Sequence, residues 1–351
     1  MAGEQIAPTR KLFSICIPAY NRARHLAPLL DSVFEQAFND FEVVICEDVS
    51  PERAQIASIV EQYQARYPGV IHYYENLVNL GYDGNIRELV NRSNGQFCFF
   101  MGNDDLLCPN ALATVEEILA RHSNVGFVLK GYAWFDETPD RIAQAVKYFD
   151  EEKEFTAGAE AISVCFRRSG VISGYIVDRD SAARAATTKF DGTLYYQLYL
   201  TASVLRDKKA VATPEVLVLC RNSEPPDFGH SKSEKGRYKP GSYTPEARIN
   251  MVSGAIAIIK DLRDTSGIDL VDSVMRDYAH YFYAYIRDQL SLPFNIYYRL
   301  YRTFGRLGFD RYPTFHVYCA AGYVLKQRSC DALIKTVRGF LGSSPRWGTA
   351  R

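Results

Sequence analysis

No stretch of this 351-residue chain reaches the roughly 18 to 20 consecutive apolar residues that a bilayer-spanning helix needs. The first five residues, Met1-Ala2-Gly3-Glu4-Gln5, lack the basic and apolar regions of a secretory leader. Net charge is also absent, because 41 basic residues balance 41 acidic ones. The molecule as a whole therefore carries no electrostatic footprint for nucleic acid. None of the eight cysteines (Cys16, Cys46, Cys98, Cys108, Cys165, Cys220, Cys319 and Cys330) forms a C-x-x-C pair. Several sit in apolar runs that read as buried strands, so reduced thiols acting as small hydrophobes fit better than zinc or disulfides. These absences make a cytoplasmic protein the expectation.

Two phosphate-binding signatures are missing as well. No G-x-G-x-x-G follows the first β-rich segment, and no G-x-x-x-x-G-K-[ST] occurs anywhere. A bound nucleotide would need its phosphates neutralised by a metal and side chains rather than by a glycine-rich turn.

What is present begins with Asn103-Asp104-Asp105, set directly after the apolar run Phe97-Cys98-Phe99-Phe100-Met101 and Gly102. Two adjacent carboxylates at the carboxyl end of a buried strand lie where open α/β sheets bind ligands. They suit a hard divalent cation that carries phosphates. Upstream, the run Phe41-Glu42-Val43-Val44-Ile45-Cys46 ends in Glu47-Asp48. Two acidic strand ends in one unit predict a crevice for metal and nucleotide.

The surrounding pattern supports an α/β fold. Strands are expected at 13–18, 41–46, 70–74, 97–101 and 125–129, with helices at 25–36, 53–67, 84–91 and 109–122 between them. That alternation predicts a mainly parallel central sheet with right-handed crossovers. Residues 137–154 read as a polar excursion. Beyond it, a helix is expected at 158–168, a strand at 171–177, a helix at 194–205 and a strand at 210–220. Residues 221–243 hold Pro225-Pro226, Gly229, Gly236, Pro240 and Gly241, and read as a long mobile loop or lid. From residue 244 onward the chain reads as helical.

Each motif also has a bland reading. Pro18-Ala19-Tyr20-Asn21 can be a turn, and Asp48 or Ser50 a helix N-cap. Their fixed order carries more weight. Strand one with P-x-Y-N, the acidic end of strand two, Asn79-Leu80-Gly81 and Asn103-Asp104-Asp105 together closely resemble the family 2 glycosyltransferases of the GT-A fold. The resemblance is clear over residues 13–129 and weaker to residue 220. The stretch Asn79-Leu80-Gly81-Tyr82-Asp83-Gly84-Asn85 looks like the subgroup containing abequosyltransferase-like enzymes of bacterial O-antigen assembly.

The resemblance implies a Rossmann-like catalytic domain over 1–220; the mobile loop or lid over 221–243 and the helical C-terminal region over 244–351 follow it. It implies that Asp48 contacts the base of a nucleoside-diphosphate sugar, with Pro18, Tyr20, Asn21, Asn79, Gly81, Asp83, Asn103 and Asp104 in the donor site. It implies Mn2+ or Mg2+ on Asp105 and Asp104, with His230 as a further ligand in some GT-A enzymes. The implied activity is hexosyl or deoxyhexosyl transfer to a glycan, with a polyprenyl-linked oligosaccharide as acceptor.

One departure stands out. Many members carry Glu-Asp in a helix some residues after Phe-Asp, whereas here Phe190-Asp191 runs into Gly192-Thr193-Leu194-Tyr195-Tyr196-Gln197-Leu198 with no acidic pair. Asp191 is left as catalytic base or as cap of the following helix, and the stereochemistry stays open. Arg221, Lys232, Lys235 and Arg237 could clamp the diphosphate when the lid closes. Residues 278–351 hold eleven Lys or Arg against Asp288, Asp310 and Asp331, interleaved with aromatics from Tyr281 to Trp347. This composition suits peripheral docking on the anionic inner face of the cytoplasmic membrane, or a helical subdomain packed on the catalytic core. The rival functions are a non-catalytic nucleotide-sugar or glycan-binding protein and a sugar nucleotidyltransferase.

Overall fold

The computed structural model describes residues 10–340. The first residues, where no secretory leader was expected, and Trp347 lie outside the described residues. The strands are β1 (Phe13–Ala19), β2 (Phe41–Glu47), β3 (Ile71–Glu75), β4 (Phe97–Phe100), β5 (Leu106–Leu107), β6 (Val125–Phe135), β7 (Ile142–Val146), β8 (Lys153–Phe155), β9 (Tyr175–Asp178) and β10 (Lys209–Arg221). They form one sheet of order β3-β2-β1-β4-β9-β6-β10-β5, with β7 on β6 and β8 on β10.

Strands β1 to β4 pair only in parallel with one another. Every residue of β2 and β4 is buried, the signature of strands covered on both faces. The expected parallel sheet is this half. The other half is mixed: β9 runs antiparallel to both β4 and β6, while β6 and β10 are parallel. β5 and β8 close against β10 in the antiparallel sense. The polar excursion at 137–154 contributes the edge strand β7 and the start of β8. Ile142 and Ala143 of β7 are exposed, so its alternation was too weak to read as a strand.

Helix α1 (Ala23–Phe34) buries Leu26, Leu29, Leu30 and Val33, spaced to form one apolar stripe against the sheet. With α2 (Arg53–Arg66) and α4 (Ala111–Arg121) it covers one face of the sheet. Helix α3 (Gly81–Arg92), α5 (Ala159–Cys165), α6 (Arg179–Arg184) and α7 (Tyr196–Val204) pack on the opposite face. There they share one apolar core with the C-terminal helices: α8 (Pro245–Ser266), α9 (Val271–His280), α10 (Tyr283–Ile286), α11 (Phe294–Arg306) and α12 (Pro313–Phe340). α8 begins at Thr244, whose side chain accepts from the Ala247 N–H, and ends at Gly267 with φ 75°. α12 runs as two helical segments broken at Lys326.

The tail aromatics divide. Tyr283, Tyr297, Phe304, Phe309 and Phe315 are buried in the core, whereas Phe294 and Tyr298 face outward from α11. The chain runs outward from β1 to β2 and β3, then returns to the other side of β1 for β4. The crevice outside the carboxyl ends of β1 and β4 is therefore the topological switch point, where sheets of this kind bind ligands.

Candidate active site

Strand β1 leaves the sheet through two consecutive left-handed residues, Asn21 (φ 52°) and Arg22 (φ 60°). The resulting turn presents carbonyls to β4. The Asn103 side chain donates to the Asn21 carbonyl at 2.8 Å and so ties the two strand ends together. Arg22 reaches back over this turn. Its Nη1 donates to Asp104 Oδ2 at 2.8 Å, and its Nη2 to the Pro225 carbonyl at 2.6 Å.

At the end of β2, Glu47 is fully buried and holds Arg53 together with the Val49 and Ser50 N–H groups. Val49 takes φ 61°, a costly conformation for a β-branched residue, on the order of 1–3 kcal/mol. Asp48 accepts from Asn76 Nδ2, Leu80 N and Gly81 N, each at 2.8 Å. Burial outweighs these bonds and pushes its pKa up. Neither Asp48 nor Ser50 caps α2, whose N-cap is Glu52 with no side-chain cap bond. Asp48 instead holds the N-terminus of α3.

Beyond β4, Asp105 accepts from the Arg221 N–H at 2.7 Å and from the Ser173 hydroxyl, which also accepts from Gly102 N at 2.8 Å. Burial, then the neighbouring Asp104 charge, raise the pKa of Asp105.

Residues 221–243, read above as a lid, border the crevice through Asp227, Phe228, His230 and Glu234. Glu234 accepts from Tyr82 N at 2.7 Å and Gly229 N at 2.9 Å, which pins the lid to the positive end of α3. Asp227 accepts from Asn21 Nδ2 at 2.7 Å and pairs with His230 Nε2 at 2.8 Å. The His230 ring lies 5.1 Å from that of Tyr20. Burial, then Asp227, push the Tyr20 phenol up to about 12, so it stays neutral.

Of the expected residues, Pro18, Tyr20, Asp48, Asn79, Gly81, Asp104, Asp105 and His230 border one crevice. Asn21 and Asn103 brace its wall instead of lining it. Asp83 is buried on the far side of the α3 start and accepts from Gly192 N, Leu194 N and Tyr196 N. It therefore caps α7 from a distance, the role the sequence left to Asp191. Burial raises Asp83 to about 7. Asp191 neither lines the crevice nor caps a helix. Both its oxygens receive the Arg87 guanidinium, at 2.5 and 2.9 Å, an ion pair 104 residues apart in sequence. His230 is not brought together with Asp104 and Asp105. Among the described residues no three His, Cys, Asp or Glu side chains converge as a metal-ligand group, and Asp227 holds the His230 Nε2.

Of the four expected clamp cations, none borders the crevice. Arg221 lies over the Phe135 ring at 4.6 Å, and Lys232, Lys235 and Arg237 are exposed. The cation that does border it is Arg22, directly after the quoted P-x-Y-N. Tyr82, Asn85, Ile172, Asp227, Phe228 and Glu234 also line it and were not foreseen.

The adjacent carboxylates fit a divalent metal. Ions of the Mg2+ type are held by one or two carboxylates, with substrate phosphates and water completing the shell. Each Asp105 oxygen accepts one hydrogen bond, and the residue borders the crevice.

Comparison with known proteins points the same way. Residues 14–184 match the model for glycosyl transferase family 2. Abequosyltransferase RfbV of Salmonella typhimurium is 34% identical over 116 residues, 32% of this chain and 34% of the relative. The match thus spans about a third of that relative's length. Among solved structures, S. aureus TarS 1–349 in complex with UDP superimposes with TM-score 0.59 at 13% identity, covering 92% of this chain and 91% of that one. A mannosyltransferase from Pyrobaculum calidifontis in complex with GDP-Man and Mn2+ gives TM-score 0.51 at 16% identity, covering 91% and 87%. At these identities the structures show the shared GT-A fold, a mixed α/β sheet with flanking helices.

Proposed function

We propose that this chain, whose residues 14–184 belong to glycosyl transferase family 2, moves a glycosyl group from a nucleoside-diphosphate sugar to a hydroxyl of a glycan acceptor. The carrying observation is the crevice at the switch point, where Asp104 and Asp105 lie beside Asp48 and Tyr20. In this reading the base lies against Tyr20 and hydrogen-bonds to Asp48. Asp48 Oδ2 accepts only one of the three protein bonds and keeps capacity for a base N–H or amino group. Arg22 is the cation beside the diphosphate. Asp104 and Asp105 would hold Mn2+ or Mg2+, which supplies positive charge opposite the departing diphosphate. The lid excludes water from the donor. Arg22 joins these parts, since it touches both Asp104 and the lid carbonyl of Pro225.

The acceptor in this proposal is a lipid-linked oligosaccharide of surface polysaccharide synthesis, as the resemblance to O-antigen enzymes implies. The outward face of α11 supports a membrane location. It carries Arg299, Arg302 and Arg306, no acidic residue, and the exposed rings of Phe294 and Tyr298. No described helix is long and apolar enough to cross a membrane. A sugar nucleotidyltransferase is disfavoured, because no glycine-rich basic loop follows β1.

The test is turnover. A panel of nucleotide sugars is incubated with Mn2+ and candidate acceptors, and release of nucleoside diphosphate is measured with the glycosylated product. Acceptor-dependent release from one donor supports the reading. Nucleotide-sugar binding without any release would make the chain a binding protein.

A further inference from the structure

The reading above leaves the reaction without a base, because the expected acidic pair is missing and Asp191 is neutralised by Arg87 outside the crevice. The carboxylates that border the crevice are committed elsewhere. Asp48 accepts three N–H donors. Both oxygens of Glu234 hold backbone N–H groups of α3 and the lid. Asp104 and Asp105 face the diphosphate. Asp227 also borders the crevice, but its oxygens hold Asn21 and His230, which leaves His230 as the remaining proton acceptor.

We infer that His230 is the general base for the acceptor hydroxyl, with Asp227 as its positioning residue; this rests on the glycosyl-transfer reading. Asp227 Oδ1 receives His230 Nε2 at 2.8 Å, while its Oδ2 is anchored by Asn21 at 2.7 Å. A carboxylate on one imidazole nitrogen fixes the tautomer with the proton on that nitrogen. The opposite nitrogen is then the basic one. His230 Nδ1 makes no hydrogen bond among the described residues. The ring borders the crevice, stacked obliquely 5.1 Å from Tyr20, which limits its rotation. Histidine is the side chain that most often serves as general base in such transfers.

The step balances without another reagent. The acceptor oxygen forms its bond to the anomeric carbon while the bond from that carbon to the β-phosphate oxygen breaks. The acceptor proton passes to His230 Nδ1, and the electron pair of the broken bond leaves with the nucleoside diphosphate. This direct displacement inverts the anomeric centre. The histidine sits on the lid, so the base arrives only when the lid is closed and water is excluded.

His230→Gln and Asp227→Asn are compared with the parent and with Asp191→Asn. For His230→Gln, kcat is expected to fall about 10²- to 10⁴-fold, while the dissociation constant for the nucleoside diphosphate with Mn2+ changes less than about threefold, under 0.7 kcal/mol. Added imidazole should restore part of the rate to His230→Ala. Asp227→Asn should lower kcat while the donor KM changes less than about threefold, because the imidazole loses the partner that fixes its tautomer; a merely structural role would raise KM as well. NMR of the product should show inversion. Transfer by His230→Gln within threefold of the parent, retention of configuration, or a loss seen with Asp191→Asn instead would overturn the assignment. If the parent transfers no sugar from any donor, the glycosyl-transfer reading fails; if parent and His230→Gln both transfer, only this inference fails.

Discussion

Replacing Gly81 by alanine should loosen the hold of α3 on the loop that carries Ser231 and Glu234. Gly81 has φ 75°, and a Cβ there would lie 2.3 Å from the Ser231 hydroxyl and 2.7 Å from a Glu234 carboxylate oxygen. The left-handed backbone alone costs an alanine about 1–2 kcal/mol. Relieving the contact means moving Ser231 and Glu234, and Glu234 holds the lid through Tyr82 N and Gly229 N. Losing one such charge-assisted bond costs about 1.5–3 kcal/mol. The backbone part weakens the fold, and the contact part shifts the lid toward open. A shift of about 1.5–3 kcal/mol raises the open fraction by roughly 10- to 150-fold. Limited trypsin digestion reads this at Lys232 and Lys235, both exposed lid residues. Cleavage should accelerate by that order in Gly81→Ala, and nucleoside diphosphate with Mn2+ should protect the parent more than the variant. Adding Ser231→Gly removes part of the clash and should recover part of the protection. Equal cleavage of parent and Gly81→Ala, with and without ligand, would refute the view that this close approach latches the lid.

Three further outcomes follow from other parts of the molecule. Asp48→Ala and Tyr20→Ala should each weaken nucleoside-diphosphate binding by calorimetry about tenfold or more, on the order of 1.4 kcal/mol; unchanged dissociation constants in both would remove them from the base pocket. Asp83 has its folded-state pKa raised to about 7 from 3.8, so its protonation favours the fold. That contribution is complete below pH 3.8 and is lost as pH rises through 7. The stability of the parent relative to Asp83→Asn should therefore shrink between pH 4 and pH 7, and a constant difference in denaturant melts would contradict the shift. Reversing Arg299, Arg302 and Arg306 to glutamate should abolish flotation with anionic liposomes, since each surface cation near such a membrane contributes about 1 kcal/mol; flotation that survives, or that neutral vesicles match at high salt, would argue for a packed helical face alone.

How far the sequence could be read follows from where its signals are local. Phe41–Glu47 and Phe97–Phe100 are covered on both faces, so their apolar runs and the acidic residues that follow them stood out. The crevice residues on those ends, Asp48, Asp104 and Asp105, were visible for the same reason. Strands β7 and β8 were not, because short edge strands with exposed residues carry little pattern. Long-range partners were also hidden. Nothing near Asp191 announces Arg87, and nothing near Asp83 announces the α7 N-terminus it caps. Residues 221–243 were read as a lid from their prolines, glycines and cations. The side chains that this segment brings to the crevice are Asp227, His230 and Glu234, which contact Asn21, Tyr20 and Tyr82 about 150 to 210 residues earlier. Arg22 adjoined a recognised motif, but only the left-handed turn shows that it points at Asp104.

The central claim is that Asp104 and Asp105 hold a divalent metal that carries the donor diphosphate. Calorimetric titration of UDP and GDP into parent and Asp105→Asn, each with Mn2+ and with chelator, tests it directly. The account predicts that one nucleotide binds the parent in a Mn2+-dependent manner. It also predicts that Asp105→Asn, folded by circular dichroism, loses the Mn2+-dependent part. Binding that is indifferent to Mn2+, or that keeps its full Mn2+ dependence in Asp105→Asn, would contradict it.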